Sequence, residues 1–283
     1  MSNVASLIAR YATGAILPQV VGKFDLSIGK WGCAIQAPIL AYILRVSPAL
    51  ARPRIEQAIA ARGTGYSECN HELFQDVSEI HYDPVLQDIA IRSLDDSDPQ
   101  VAMTAATMLG DFGSADVESV LWQHYADWSA QWVGRESELD LTFAEMGSNR
   151  VYDLGLGENL LRAIVTGKAW LTDVNKLERL AQLTTVTRLQ QMLDGDLKIW
   201  TTQPLTISFN HNLWPVGFDA RVAQYELHSI GALESKIEQF PPGTRFFIST
   251  PPMDSPANDK SRAELRSFLQ AHGMFLAGER RAY

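Results

Sequence analysis

The stretch DPQVAMTAATMLGDFGSADVESVLWQHY, residues 98–125, constrains the fold more than any other part of the chain. Asp98 can cap a helix whose first position is Pro99, and Val101, Ala105, Met108 and Leu109 then recur at helical spacing until Gly110 and Gly113 stop it. A second helix starts at Ser114 or Asp116, with Val117, Val120, Leu121, His124 and Tyr125 as its stripe. Two short helices joined by a glycine-containing turn, the first lined with small residues, bury their apolar faces only by stacking on units like themselves.

The same pattern occurs upstream. APILAYILRV (37–46) is followed at Ser47-Pro48 by PALARPRIEQAIAAR, and Gly63-Thr64-Gly65 makes a turn. SECNHELFQDVSEI (67–80) and DPVLQDIAIRSL (83–94) form another pair, in which Asp83-Pro84 repeats the start signal of Asp98-Pro99. The pairs begin about 30 residues apart, inside the span of known helical repeats.

SLDDSDPQVAMTAATMLGDFGSADVESVLWQHY (93–125) resembles a HEAT-type repeat, with its Asp-Pro, Val, Ala-rich helix ending in Leu-Gly, a further Gly and a second Leu-rich helix. The likeness is weaker over 35–94. It implies a short α-solenoid with a protein-binding role. The family usually carries an Arg shortly after the Val, where this chain has Ala102 and Met103, so a ladder of polar contacts built on that Arg is not expected.

Beyond Trp132, residues 134–157 read as a long, partly acidic loop, and helices resume at ENLLRAIVTGK, DVNKLERLAQL and TVTRLQQMLDG. At Asp194-Gly195-Asp196 the texture changes. LTISF (205–209) and VAQYELH (222–228) alternate like strands, IGALESKIEQF is an amphipathic helix, and TRFFIST is another strand. The loop PPMDSPANDK, a helix SRAELRSFLQAHG and a last strand MFLAG complete a small α/β tail. LESKIEQFPPGTRFFI is similar to C-terminal segments that follow helical repeats in large bacterial proteins, a resemblance that brings no activity with it. The expected architecture is thus mainly α: a HEAT-like helical domain over 1–195, then an α/β (α+β) domain over 196–283 with about four strands and two helices. LKIWTTQPL (197–205) reads as the apolar connection between them.

The net charge is -9, and the basic pairs Arg52/Arg54 and Arg280/Arg281 do not extend into a stripe, which disfavours nucleic acid as a partner. Arg45 interrupts the longest apolar run, so no membrane span is expected, and the first residues lack the pattern of a secretory signal. Helical periodicity begins almost at once, at Val4, Leu7, Ile8 and Tyr11, as it would in a segment of a longer protein.

Few residues suggest chemistry. Glu68, Cys69, His71 and Glu72 form the densest reactive cluster, but on a helix only the two glutamates share a face, and two Cys with six scattered His offer no closed metal site. No metal, cofactor or defined catalytic residue is expected. Cys33 and Cys69 each open a repeat unit and are candidates for a disulfide, with two buried thiols as the alternative. His211, between two Asn at the end of a strand, lies near Trp214 and Asp219; an acid–base His or a plain Asn-rich turn both fit. Tyr125, Trp128 and Trp132 fall on one helix face, as a binding platform or as core. The candidate binding residues are Trp128, Trp132, His211 and Trp214.

The leading expectation is a non-enzymatic protein- or peptide-binding scaffold. The alternatives are an enzyme with its site between the helical stack and the tail, and a nucleic-acid binder resembling HEAT-like DNA glycosylases.

Overall fold

The computed structural model describes residues 2–27, 31–61, 73–141, 148–170, 174–202, 205–209, 220–222, 225–240, 242–250 and 256–281. Contacts divide the chain into two units, Met1–Trp170 with Leu183–Leu189, and Leu171–Gln182 with Gln190–Tyr283.

Among its described residues the first unit is helical. α1 (Ser2–Tyr11), α2 (Leu17–Asp25), α3 (Cys33–Val46), α4 (Pro48–Ala60), α5 (Leu73–Ile80), α6 (Pro84–Ser93), α7 (Pro99–Phe112), α8 (Val117–Trp132) and α9 (Ser148–Thr166) follow in order. α3 is buried without a break from Gln36 to Leu44, because it packs against α1, α2, α4 and α5 and has no free side. The chain of neighbours continues as α5 on α7 and α7 on α9, with α4 beside α6. The start signals read from sequence act as such: the Asp83 carboxylate accepts from the Val85 amide at 2.8 Å, and that of Asp98 from Gln100 at 3.0 Å. Ala102, Ala105 and Ala106 of α7 are fully buried, which lets neighbouring helices come close.

One expectation fails at α9. Residues 148–157, the end of the segment read as a partly acidic loop, are helical from Ser148 onward. The glycines are there for proximity. A Cβ on Gly157 would overlap the Trp128 indole, one on Gly155 would lie 2.8 Å from Met103 Cε, and one on Gly110 3.0 Å from Ala163. Close packing of α9 on α7 and α8 outweighs the low helix propensity of glycine.

α10 (Val174–Leu183) and α11 (Thr187–Thr202), which give the second unit all but Leu183 and Thr187–Leu189, precede the sheet. α11 runs on to Thr202, so residues 197–202 of the expected apolar connection are helix; the Trp200 side chain lies outside the described residues. The sheet contains β1 (Leu205–Phe209), β2 (Ala220–Val222), β3 (Tyr225–Leu227), β4 (Arg245–Thr250) and β5 (Phe275–Arg281), in the order β3-β2-β1-β4-β5. β1, β4 and β5 are parallel neighbours, whereas β2 and β3 add an antiparallel hairpin where one strand was expected. Val222 pairs with Tyr225, so the alternation VAQYELH belongs to two short paired strands and not to one run.

Two helices, α12 (Ile230–Ile237) and α13 (Pro256–Ala271), cover the sheet. Leu233 and Ile237 from the first, Phe240 just beyond it, and Leu265 and Leu269 from the second join Ile207, Phe209, Val222, Phe246 and Ile248 in one core. α13 begins at Pro256, inside the segment read as loop, with proline at the helical position where its missing N–H costs nothing. Gly243 and Gly273 both take positive φ, 91° and 68°, and the Gly243 amide donates to the Gly273 carbonyl at 3.0 Å, joining the turns that lead into β4 and β5.

Candidate functional site

The aromatic face of α8 is core. Trp128 and Trp132 are 5% and 4% exposed, so neither offers a platform to a ligand. Trp128 stacks on Tyr125, with centroids 5.8 Å apart, and its Nε1 donates to the Asp153 carbonyl of α9 at 3.0 Å. Trp132 has two cations close to its ring, the guanidinium groups of Arg135 and Arg150 each lying 4.9 Å from its centroid. Glu138 bridges those cations, at 2.8 Å to Arg135 and 2.5 Å to Arg150, and the hydrogen bond from Arg135 holds its carboxyl below the usual carboxylate range. The arrangement fastens α8 to α9. The expected choice between platform and core is therefore decided by packing: a helix with neighbours on this side must bury its largest rings.

Polar groups on the buried side of α8 are also spent on structure. The hydroxyls of Tyr125 and Thr184 meet at 2.5 Å, and Ser129 donates to the Leu183 carbonyl at 2.6 Å. Burial pushes the Tyr125 phenol up to about 12, so it is neutral at physiological pH and serves as a hydrogen-bonding group, not a base. Gln87 plays a similar part between helices, its Oε1 accepting from Tyr82 at 2.5 Å and from Ser114 N and Oγ at 2.9 and 3.0 Å.

His211 and Trp214 lie outside the described residues, as does the cluster Glu68, Cys69, His71 and Glu72. Cys33 is disulfide-bonded; Cys69, the chain's other cysteine, lies outside the described residues. Among the described residues no three His, Cys, Asp or Glu side chains gather closely enough to hold a metal ion. No helix there is long and apolar enough to cross a membrane. In the second unit, burial holds the Lys236 ammonium below the ordinary lysine range, where it lies 3.9 Å from the Tyr225 ring centroid.

A feature that residue-by-residue reading missed lies on the exposed sides of α4 and α6. Arg52 meets Asp88 at 2.5 Å, and Glu56 meets Arg92 at 2.8 Å, each pair separated by 36 positions. Because the two contacts occur in the same order along both helices, α4 and α6 run parallel. Arg92 also reaches back to Asp88 at 3.4 Å, closing a four-residue network, and the hydrogen bond from Arg52 holds the Asp88 carboxyl below its ordinary range. The signal was available in the sequence as opposite charges at one fixed offset. The network joins α4 to α6 on their exposed sides.

Compared with protein-family models, curated proteins and solved structures, the chain has no significant match.

Proposed function

We propose that this chain is a non-enzymatic scaffold, a short HEAT-like stack of helical hairpins followed by a small α/β unit, and that one face of the stack receives a protein or peptide. The observation that carries the reading is the pair of contacts Arg52–Asp88 and Glu56–Arg92, both 36 residues apart. Contacts in the same order along both helices set α4 and α6 parallel, and stacked helical hairpins lay such helices side by side in a continuous surface. The polar chemistry around α8 supports the same reading, since its hydroxyl and indole groups bind backbone and neighbouring side chains of the scaffold itself. Leu50, an exposed leucine on α4, adds an apolar contact beside the charged network.

The test is site-specific photo-crosslinking in the native cell, with the crosslinker at Gln57 or Ala60 of α4 and a control at Glu238 in the second unit. One protein captured from both α4 positions and not from Glu238 is the expected result. Crosslinks confined to Glu238, or substrate turnover by the purified chain in a hydrolase and transferase screen, would remove the proposal.

A further inference from the structure

α1 is folded with its small side inward. Ala5 and Ala9 are buried on the side that packs against α3, whereas Val4, Leu7 and Tyr11 are 60%, 57% and 74% exposed. These three fall at i, i+3 and i+7 and so form one stripe along a single outward helix face. Leaving three large apolar side chains in water while burying two alanines is unfavourable for an isolated surface, and such stripes mark contact with something else.

Charge around the stripe narrows what that is. The first 54 residues carry six basic residues and one acidic residue, Asp25, in a chain whose net charge is -9. The Asp25 carboxylate is taken by Arg54 at 2.6 Å. Arg10 is exposed next to Tyr11. Arg45 reaches from α3 to the tyrosine end of α1, donating from Nε to the Ala9 carbonyl at 3.1 Å and from Nη2 to the Ala12 carbonyl at 2.8 Å. Neither arginine has a carboxylate partner among the described residues.

We propose that α1 docks the protein onto an anionic phospholipid surface, with Val4, Leu7 and Tyr11 entering the boundary between headgroups and acyl chains and Arg10 and Arg45 meeting lipid phosphates. A convex apolar helix face framed by cations matches that boundary without needing a complementary groove. A parallel two-fold pairing of α1 with a second copy would set Arg10 against its counterpart, which like-charge repulsion disfavours; an antiparallel pairing is told apart from lipid docking by the test below. The acidic remainder of the chain does not forbid the contact, because charges beyond about 10 Å are screened at physiological salt while contacting cations are not. This inference goes beyond the scaffold reading and does not depend on it.

Co-sedimentation of the full chain with vesicles tests it, using phosphatidylcholine alone and phosphatidylcholine mixed equally with phosphatidylglycerol. Binding to the mixed vesicles that weakens with added salt is expected, with little binding to neutral ones. Leu7→Gln combined with Tyr11→Gln should lower partitioning at least about tenfold, because most of the stripe's apolar contact is lost. Arg10→Gln should lower it less. All substituted side chains are exposed, so an unchanged melting temperature separates lost docking from lost folding. No binding to the mixed vesicles, equal binding to both compositions, or binding indifferent to the glutamine pair overturns the proposal. So does concentration-dependent dimerisation that the glutamine pair abolishes in the absence of vesicle binding, which would assign the stripe to a second copy.

Discussion

Gly157 of α9 lies flat against the indole of Trp128, so close that a side chain of any size on Gly157 would occupy the volume of the ring. The ring cannot retreat, since its Nε1 is bonded to the Asp153 carbonyl and its face stacks on Tyr125. Gly157→Ala therefore destabilises by about 1–3 kcal/mol from overpacking, less the roughly 1 kcal/mol that alanine gains in helix propensity. Gly155→Ala is the control. Its nearest neighbour is the flexible end of Met103, so the propensity gain should dominate and leave stability unchanged or raised. Urea denaturation of the two variants checks the contrast, and equal losses would contradict it.

The capping carboxylates give a second expectation. Asp83→Ala and Asp98→Ala should each cost about 1 kcal/mol, because each removes the acceptor of an amide at the start of a helix that begins with proline. Asp116 stands at the start of α8 and makes no such bond, so Asp116→Ala should cost less than either. Ranking the three by thermal unfolding decides it.

Tyr125 predicts an alkaline effect. Its phenol is raised to about 12 in the folded chain, against an ordinary value near 10 in the unfolded one, so the folded state holds its proton more tightly. The corresponding stability is present in full below pH 10 and declines as pH rises from 10 to 12, by up to about 2–3 kcal/mol. Tyr125→Phe should flatten that part of the pH–stability curve. At neutral pH it should cost about 1 kcal/mol, because one buried hydrogen bond to Thr184 is lost.

The charged network of α4 and α6 should contribute little to stability. Its members are about half exposed, and exposed pairs couple by roughly 0.2–1 kcal/mol. A double-mutant cycle on Glu56→Ala and Arg92→Ala should return a coupling in that range that shrinks with salt. A coupling of several kcal/mol would mean the network is more sheltered than its exposure indicates.

Much of the helical part could be read from the chain because its signals are local. Asp83-Pro84 and Asp98-Pro99 start helices wherever they occur, and the small residues of α7 foretell close neighbours. What escaped were features decided by a distant partner. Gly155 and Gly157 look like breakers until α7 and α8 are placed beside them, and VAQYELH looks like one strand until Val222 finds Tyr225. The α1 stripe escaped for another reason: periodicity marks an apolar face but does not say whether it turns inward, and here two alanines took the buried side. The aromatic series on α8 was legible as a face. Its burial depends on the first half of α9, residues 148–157, which reads as loop in the sequence.

The signs along α4 and α6 have an effect that their energies do not express. Arg52 and Glu56 on the first helix face Asp88 and Arg92 on the second, plus then minus against minus then plus. If α6 slid by one turn, four residues, in one direction, Arg52 would face Arg92; in the other, Glu56 would face Asp88. Either slip exchanges attraction for repulsion, whereas apolar side chains beneath could be nearly as content in the shifted alignment. Four ordinary surface charges thus work as a vernier, marking one alignment of the two helices as correct and both neighbouring ones as errors while the chain is still finding its place.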